Sequence, residues 1–253
     1  MRLLNQRAFI TGAASGIGAA IATAFAAEGA RVVIFDINAA AAEALARQLR
    51  EEGREAIAVT GSVSNSADIE RAFAQADAEF GSIDILINNA GVNAIVPTLE
   101  LSDAAWDEVL NVNLRGAFLC ARAAGTRMVR RRSGVILNIS SIYGIVAAPQ
   151  RLAYCTSKSA VAMMAKVLAT EWSPYGIRVN ALAPGYVQTP AITDMTASGA
   201  LSQERLIART PLGRLAEPAE IAEVAVYICS ASAAYITGQV IGVDGGWTAY
   251  GYV

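Results

Sequence analysis

Short apolar runs rich in β-branched residues alternate with longer stretches of helical periodicity along nearly the whole chain, and this alternation restricts the fold more than any other feature. Strands that alternate with helices form βαβ units, whose strands pair in parallel and whose helices cover the sheet. The sequence therefore predicts an α/β fold with a doubly wound parallel β-sheet flanked by helices. The predicted strands span residues 7–11, 31–36, 55–60, 84–88, 134–139, 177–183 and 239–243, and the predicted helices span residues 16–28, 39–52, 66–80, 103–131, 152–172 and 218–230.

The composition agrees with a sheet that is buried on both faces. Hydrophobic residues make up 54% of the 253 residues and charged residues only 17%, as a parallel sheet with two covered faces requires. No linker or internal repeat divides the chain, so residues 1–253 are interpreted as a single domain. The least regular segment, about residues 185–214, contains Pro, Gly, Ser and Thr, and its length is typical of a flexible flap.

The charge and the rare residue types exclude several classes of function. A net charge of −2 and the lack of a long apolar run favour neither a nucleic-acid nor a membrane partner. Three scattered cysteines without metal-ligand spacing are typical of reduced thiols in a cytoplasmic protein. The chain has no histidine, which excludes a Ser-His-Asp triad, a His-ligated zinc centre and a histidine base. No metal is expected, and acid–base chemistry must use other side chains, above all Tyr, Lys, Asp, Glu or Cys.

A glycine-rich turn follows the first predicted strand and opens the first predicted helix. Its spacing, G-x-x-x-G-x-G, permits a tight turn, brings the backbone close to a pyrophosphate and packs the helix against the strand. The helix N-terminus then offers free N–H groups and a positive dipole end to the phosphates. The residues assigned to this dinucleotide site are Gly12, Ser15, Gly16, Ile17 and Gly18.

Asp36 ends the second predicted strand and indicates which dinucleotide binds. An acidic side chain 18 residues beyond Gly18 can accept hydrogen bonds from the adenosine ribose hydroxyls, and it repels a 2′-phosphate. No Lys or Arg lies in residues 13–17 or 37–42 to bind such a phosphate. The expected cofactor is therefore NAD rather than NADP. The alternative is that Asp36 is an ordinary solvated residue at a strand end.

Six motifs occur in a characteristic order. They are the glycine-rich turn, Asn88-Asn89-Ala90-Gly91, an Asn in Asn111-Val112-Asn113, a Ser in Ser140-Ser141, Tyr154-x-x-x-Lys158 and Pro184-Gly185. Together they resemble the short-chain dehydrogenase/reductase family over nearly the whole chain. The resemblance implies a single Rossmann-like domain that oxidises an alcohol or reduces a ketone with NAD(P), and that assembles as a homotetramer or homodimer.

Two regions are candidates for contacts between subunits. In the family the C-terminal region, here Asp244 to Val253, often packs at a subunit interface. The apolar face of the predicted helix 152–172, which carries Val161, Met164 and Leu168, is either core or interface.

Tyr154 and Lys158 are expected to perform the chemistry. Residues four apart on a helix share one face. A free Tyr has a pKa of about 10 and is a poor base at neutral pH, whereas a nearby ammonium lowers that pKa. Without the other motifs, such a pair is more often a surface pair. The resemblance implies that Tyr154 exchanges the substrate proton and that Lys158 also holds the nicotinamide ribose, so both are counted with the cofactor-binding residues.

The resemblance implies two further catalytic residues. Ser141 matches the family's Ser that hydrogen-bonds the reacting oxygen, whereas the adjacent Ser140 is expected to satisfy backbone groups. Asn113 matches the family's catalytic Asn, which kinks its helix and holds a water that connects Lys158 to solvent. Asn111, two residues earlier, is the alternative.

The remaining cofactor contacts also follow from the resemblance. The family commonly has an Asp after the third strand that accepts from the adenine amino group, but this chain has Ser62 and Val63 there, so a weaker hydrogen bond is expected. The residues assigned to the adenosine side are Asn89, Ala90 and Gly91, and those assigned to the nicotinamide are Pro184, Gly185, Val187 and Thr189.

The substrate is expected to be a small alcohol or ketone. A mixture of apolar and hydrogen-bonding groups suits a polyol, sugar or similar hydroxy compound, and Asp36 favours these over 3-oxoacyl reduction, which usually uses NADPH. Arg151 can instead pair with the carboxylate of a hydroxy acid, or it is a solvated loop residue. A catalytically idle NAD-binding sensor or scaffold is the alternative from another class, although such proteins tend to lose the Tyr or Lys. The candidate pocket residues are Asn93, Ile95, Tyr143, Gln150, Arg151, Tyr186, Ile192 and Met195.

Overall fold

Seven parallel strands form one sheet within residues 1–251, the part of the chain that the computed structural model describes. The last two residues of the predicted C-terminal contact region lie outside this range. The strand order is β3-β2-β1-β4-β5-β6-β7, which confirms the predicted doubly wound α/β fold. The strands are β1 (Arg7–Thr11), β2 (Arg31–Asp36), β3 (Ala56–Thr60), β4 (Ile85–Asn88), β5 (Gly134–Ile139), β6 (Ile177–Pro184) and β7 (Val240–Val243).

Helices connect the strands and cover both faces of the sheet. Most of their bounds agree with the predicted ones to within a residue. The helices are α1 (Gly16–Ala27), α2 (Ala39–Glu51), α3 (Ser66–Phe80), α4 (Asp103–Leu110), α5 (Ala117–Arg131), α6 (Leu152–Trp172), α7 (Pro190–Ala197), α8 (Gln203–Arg209) and α9 (Pro218–Cys229).

The predicted irregularity of residues 185–214 is wrong, because this segment contains α7 and α8. The short helix α7 begins with Pro190 and is capped by Thr189, whose Oγ1 accepts a hydrogen bond from the N–H of Ile192. Pro at the first helical position and a Thr cap are both helix-start signals, and they reconcile the turn-forming composition with helix formation. The flexibility of the segment stays a prediction.

The core consists of two apolar layers, one on each face of the sheet. Helices α1, α2 and α9 pack on one face through residues such as Phe25, Leu49 and Val226. Helices α3, α5 and α6 pack on the other, where the Phe9 and Phe73 rings stack with their centres 4.3 Å apart. Strands buried on both sides explain the continuous apolar runs in the sequence.

The strand order reverses between β1 and β4, and this reversal positions the site. In register, Ile10 of β1 lies beside Ile34 of β2 on one side and Ile87 of β4 on the other. The loops that leave the carboxyl ends of β1 and β4 therefore diverge to opposite faces and open a crevice. The glycine-rich turn and residues 89–91 border that crevice.

Two arginines pair with a carboxylate at the amino ends of β1 and β4, the end of the sheet away from the crevice. Asp84 accepts hydrogen bonds from the Arg7 Nε at 2.6 Å and from the Arg131 Nη1 at 2.8 Å. Burial raises the pKa of Asp84, but the hydrogen bonds from the two arginines outweigh burial and hold that pKa below its usual range. This cluster ties β1, β4 and α5 together away from the crevice.

One surface of the molecule is apolar. Phe118, Met163 and Val167 are exposed on α5 and α6 and border a surface groove of about 540 Å³. Of the residues predicted for this face, Val161 is buried in the core and Met164 lines the groove. Within residues 1–251, no helix has the length and apolar character needed to cross a membrane.

Candidate active site

The glycine-rich turn is shaped for close approach. Gly12 and Gly16 adopt φ angles of 61° and 54°, a conformation that larger residues adopt only at a cost. A Cβ on Gly18 would lie 2.1 Å from the Gly12 carbonyl oxygen, so only glycine lets α1 pack this close to β1. Ser15, the residue before α1, makes no side-chain capping bond and lines the crevice. The turn therefore fits a pyrophosphate at a helix N-terminus.

Thr11 and Asn89 join the turn to the end of β4. The Asn89 Nδ2 donates to the carbonyl oxygens of Thr11 and Gly12 at 3.0 and 2.8 Å. The Thr11 Oγ1 accepts from the N–H groups of Asn89 and Ala90, both at 3.0 Å. Asn89 thus positions the turn as well as lining the crevice. The sequence analysis missed Thr11. A polar residue at the end of a mostly apolar strand is the feature that could have indicated it.

Asp36 is fixed at the rim of the crevice. Its Oδ2 accepts from the Ala14 N–H at 3.0 Å and its Oδ1 from the Asn38 N–H at 2.9 Å. The carboxylate is half-buried and lines the crevice. Two backbone donors from different elements hold this group, which distinguishes it from a freely solvated strand-end residue.

Ser62 and Val63 line the crevice after β3, where the family commonly has an Asp. The Ser62 Oγ accepts from the Ser64 N–H at 3.2 Å, and the Ser62 N–H donates to the Asp68 Oδ2 at 3.0 Å. The loop is thus anchored by a carboxylate from α3. The Ser62 hydroxyl hydrogen remains to donate to a ligand.

These residues enclose a cavity of about 600 Å³, a volume within the range of ligand sites. Its charged lining residues are Asp36 and Glu108, and among the described residues that line it there is no Lys or Arg. Of the predicted cofactor residues, Gly18, Lys158 and Pro184 are buried and line neither this cavity nor the smaller one described below. The lining residues that sequence reasoning missed are Phe35, Ile37, Gly61, Ser64, Val92, Glu108, Val112, Pro190 and Ala191.

The structure brings Ser141, Tyr154 and Lys158 together. The Ser141 side chain, which follows β5, lines a small cavity together with the Tyr154 phenol. The buried Lys158 donates from Nζ to the Ile139 carbonyl oxygen at 2.8 Å and lies 5.7 Å from the centre of the Tyr154 ring. Ser140 points away and donates to the Lys158 carbonyl oxygen at 2.8 Å, as expected of a residue that satisfies backbone.

Burial dominates the protonation of this pair. Desolvation raises the pKa of Tyr154, and the nearby Ser141 hydroxyl and the Arg151 charge lower that pKa by less. The expected lowering of the Tyr154 pKa by Lys158 is therefore wrong for this structure, because the ammonium is directed at Ile139 and burial outweighs it. Burial also lowers the pKa of Lys158 to about 8, so this group exchanges protons near neutral pH.

Asn113 lies in a kink between α4 and α5. Residues Asn111–Gly116 form a π-helical turn, a distortion frequent at functional sites. The Asn113 Oδ1 accepts from the Val92 N–H at 2.8 Å, and its Nδ2 donates to the Val92 carbonyl oxygen and to the Ser157 Oγ. The buried side chain thus joins the loop after β4 to α6, whereas Asn111 is exposed.

The residues predicted for the nicotinamide side follow β6. Pro184 ends the strand, and the Gly185 N–H donates to the Val243 carbonyl oxygen at 3.0 Å. Thr189 lies close to the glycine-rich turn, because a Cβ added to Gly16 would be 3.3 Å from the Thr189 Cγ2. Gly185, Val187 and Thr189 all line a second, smaller cavity.

That second cavity has a volume of about 170 Å³ and contains the Tyr154 and Ser141 side chains. The predicted pocket residues Asn93, Tyr143, Arg151, Tyr186, Ile192 and Met195 line it. Gln150 and Ile95 do not line it, and their contact with the substrate stays a prediction. Gln150 is exposed with a φ of 62°, and its carbonyl oxygen accepts from the Val96 N–H, so it shapes the loop. Ile142 and Leu201 were missed.

Aromatic rings form one wall of the small cavity. The Tyr143 and Tyr186 hydroxyls are 2.8 Å apart, and the Tyr186 ring packs against Trp247 at 5.3 Å between centres. The Arg151 guanidinium lies over the Tyr143 ring, 5.4 Å from its centre. Burial raises the pKa of Tyr143, so its hydroxyl stays protonated at neutral pH.

A glycine-rich dinucleotide crevice that adjoins a Ser-Tyr-Lys cluster defines an oxidoreductase of the short-chain type, and the chain belongs to the short-chain dehydrogenase/reductase family. Residues 12–248 match the family model described as enoyl-(acyl carrier protein) reductase. Relatives over the whole length act on CH–OH groups, and this protein is an oxidoreductase of that kind.

Two relatives and one solved structure illustrate the similarity. The chain is 44% identical to D-threitol dehydrogenase of Mycolicibacterium smegmatis, over 98% of this chain and 94% of that protein. It is 41% identical to galactitol 2-dehydrogenase (L-tagatose-forming) of Cereibacter sphaeroides, over 98% and 97%. The structure of gluconate 5-dehydrogenase from Burkholderia cenocepacia, in complex with NADP and tartrate, superposes with a TM-score of 0.93 at 37% identity, over 98% and 97%.

Proposed function

We propose that this protein is an NAD(H)-dependent oxidoreductase that interconverts a secondary alcohol, such as a polyol, sugar or similar small hydroxy compound, and its ketone. One observation carries the proposal. The Tyr154 and Ser141 side chains line a small cavity that shares Ile17 and Thr189 with the dinucleotide crevice. A reacting carbon held there adjoins the cofactor and the acid–base groups at once.

The nicotinamide, when bound, supplies or accepts the hydride. Ser141 and Tyr154 hold the reacting oxygen of the substrate, and Tyr154 takes its proton in the oxidative direction or gives it in the reductive direction. When the cofactor is bound, Lys158 would hold its nicotinamide ribose. With a pKa of about 8, the Lys158 ammonium can return a proton to Tyr154, or its neutral amine can take one from Tyr154, in exchange with solvent. Asn113 positions Val92 and α6, so that the crevice floor and the catalytic helix keep their spacing.

The lining of the crevice supports NAD over NADP. A 2′-phosphate would lie beside the Asp36 carboxylate, with Glu108 as the other charged lining residue and no cation among the described lining residues to compensate. Two solved structures similar to this chain contain NADP. The proposed preference for NAD therefore rests on the residues of this chain and not on those structures. It depends on Asp36 and its two backbone donors.

Cavity size favours small substrates. A volume of about 170 Å³ is well below the roughly 300–1,000 Å³ of pockets for drug-sized ligands. It fits a compound of a few carbons better than a 3-oxoacyl chain, the alternative from the same family. A catalytically idle sensor is disfavoured because Ser141, Tyr154 and Lys158 are all present and assembled.

We further propose that the subunit assembles as a homotetramer or homodimer in the cytoplasm. The exposed Phe118, Met163 and Val167 form an apolar patch that a second copy would bury. The three cysteines are free thiols, and Cys120 and Cys229 are buried, which suits a reducing compartment. Met163→Glu is expected to lower the mass measured by light scattering, whereas an unchanged mass would assign the interface elsewhere.

The test of the proposed function is NADH formation at 340 nm with NAD⁺ and, separately, NADP⁺, over a panel of polyols, sugars, sugar acids and secondary alcohols. The proposal expects turnover of small hydroxy compounds with a kcat/KM at least about 10-fold higher for NAD⁺. Asp36→Asn is expected to narrow that ratio. Equal or better rates with NADP⁺ would contradict the role of Asp36. No turnover despite tight NADH binding would favour the sensor alternative.

A further inference from the structure

We propose that Arg151 binds a carboxylate of the substrate, so that the protein acts on hydroxy acids and their oxo acids in preference to neutral polyols. The inference rests on the proposed oxidoreductase function and names its substrate class. It begins from the positive charge of Arg151, for which the described residues provide no carboxylate partner.

Arg151 is buried, with 7% of its surface exposed. Within residues 1–251, its guanidinium has no carboxylate within 4 Å and no hydrogen bond to a protein acceptor, and it lies over the Tyr143 ring, 5.4 Å from the ring centre. A guanidinium does not deprotonate in proteins, so burying it without an anion is costly. By contrast, Arg7 and Arg131 pair with Asp84, and Arg127 pairs with Asp77. The half-buried Arg178, which has no carboxylate partner among the described residues, donates to the carbonyl oxygens of Ile236 and Ser230.

The uncompensated charge faces the small cavity. Arg151 lines that cavity with Tyr154 and Ser141, and it is the only charged residue among the described lining residues. An anion would therefore meet one cation and no opposing carboxylate. In water-poor surroundings a guanidinium can hold both oxygens of a carboxylate by two parallel hydrogen bonds. A neutral polyol would leave this cation without a partner.

The position of Arg151 also suits a hydroxy acid of a few carbons. Arg151 lies three residues before Tyr154 at the start of α6, so both side chains lie on adjacent turns and reach the same cavity. A carboxylate on Arg151 would place hydroxyl-bearing carbons between it and Tyr154. The paired Tyr143 and Tyr186 hydroxyls, 2.8 Å apart, offer further hydrogen bonds to those hydroxyls. The cavity volume of about 170 Å³ excludes long chains.

The experiment compares each acid with its own primary amide, which has the same shape and no charge. Glycerate, threonate and gluconate are assayed with NAD⁺ beside glyceramide, threonamide and gluconamide, for the wild type and for Arg151→Gln, Arg151→Lys and Arg47→Gln. Arg47 is an exposed residue of α2 and serves as the matched loss of one positive charge. The quantity measured is the ratio of kcat/KM for the acid to kcat/KM for the amide.

The wild type is expected to prefer at least one acid by 10-fold or more, and Arg151→Gln is expected to lower that ratio about 10- to 100-fold, as the loss of a charge-assisted hydrogen bond implies. Arg151→Lys should retain part of the ratio, and Arg47→Gln all of it. A wild-type ratio near one, or a ratio that Arg151→Gln leaves unchanged, would overturn the inference. In that case turnover of neutral polyols would leave the proposed function standing.

A binding measurement tests the anion site at Arg151 separately from the proposed oxidoreductase function. NADH and a hydroxy acid do not react, so the thermal shift caused by threonate in the presence of NADH reports binding without turnover. A shift that exceeds that of threonamide and is lost in Arg151→Gln supports the anion site. If that shift is present while no alcohol of any kind is oxidised, the proposed oxidoreductase function fails and the anion site remains. If neither acid nor amide shifts the unfolding temperature, the inference fails.

Discussion

The Lys158 ammonium donates a hydrogen bond to the Ile139 carbonyl oxygen at 2.8 Å, at the carboxyl end of the central strand β5. The bond ties the group to the rigid sheet, while burial lowers its pKa to about 8. A lysine with this pKa changes protonation within the range of an ordinary assay buffer, so its charge has a kinetic signature.

The first prediction is therefore a pH dependence. Below pH 8 Lys158 is protonated and can supply the proton needed for ketone reduction, and above pH 8 it is neutral and can accept the proton released by alcohol oxidation. We expect kcat for reduction to fall, and kcat for oxidation to rise, as the pH increases through about 8. Lys158→Arg should remove this transition. Profiles that are flat from pH 6.5 to 9.5 in both directions would contradict the assignment.

The second prediction concerns Asn113. Asn113→Ala removes two part-buried hydrogen bonds to Val92 and one buried hydrogen bond to the Ser157 hydroxyl, at a cost of about 2–3 kcal/mol. We expect weaker NADH binding and a lower kcat together, measured by fluorescence titration and initial rates. Asn111→Ala, in the same π-helical turn but exposed, is the control and should change kcat/KM less than about twofold. Equal losses of NADH affinity and kcat in the two variants would contradict the assignment of Asn113 over Asn111.

The third prediction concerns the close approach at the glycine-rich turn. A methyl group on Gly18 would lie 2.1 Å from the Gly12 carbonyl oxygen and 2.5 Å from the Asn89 Nδ2, so the turn must move. We expect Gly18→Ala to weaken NADH binding at least about 10-fold and to destabilise the fold by about 1–3 kcal/mol. Gly242→Ala in β7, whose added methyl makes only ordinary contacts at 3.9 Å, is the matched control. Unchanged NADH affinity in Gly18→Ala would argue against this crevice as the dinucleotide site.

The fourth prediction concerns stability in acid. The folded-state pKa of Asp84 is lowered by its arginine partners, so the ionised carboxylate stabilises the fold above about pH 4, and this contribution is lost as the pH falls further. Asp84→Asn is expected to cost about 2 kcal/mol at pH 7, measured by urea unfolding. The difference from wild type should shrink below pH 4. Glu43→Gln, which breaks the exposed pair with Arg50, should cost under about 1 kcal/mol.

Much of the fold was predictable because its determinants are local. The parallel strands are continuous apolar runs, and the bounds of β5 and α6 agree with the predicted ones to the residue. The helices of residues 185–214 were missed because Pro190 and Thr189 are turn-forming in isolation, whereas here they start a helix. The fold of that segment depends on caps rather than on an apolar period.

The residues of the site that belong to sequence motifs could be predicted. The contacts that the fold makes between distant segments could not. Ser141, Tyr154 and Lys158 follow from their spacing and order in the sequence. The partner of Lys158 is a backbone oxygen, and the partners of Asn113 include Val92, so neither contact is encoded in a motif. Glu108 lines the crevice from α4, a placement that no motif in the sequence marks. Gln150, which was predicted for the pocket, is exposed, has a left-handed backbone and does not line the small cavity.

The central claim is that Tyr154 moves the substrate proton beside a bound nicotinamide, and Tyr154→Phe tests it most directly. The variant keeps the ring and removes the hydroxyl that shares the small cavity with Ser141. The measurement is kcat for NAD⁺-dependent oxidation of the preferred substrate, with NADH affinity determined on the same samples. The account predicts a loss in kcat of about 10²- to 10⁴-fold with NADH affinity within about threefold of wild type. Retention of most of the activity in Tyr154→Phe would contradict it.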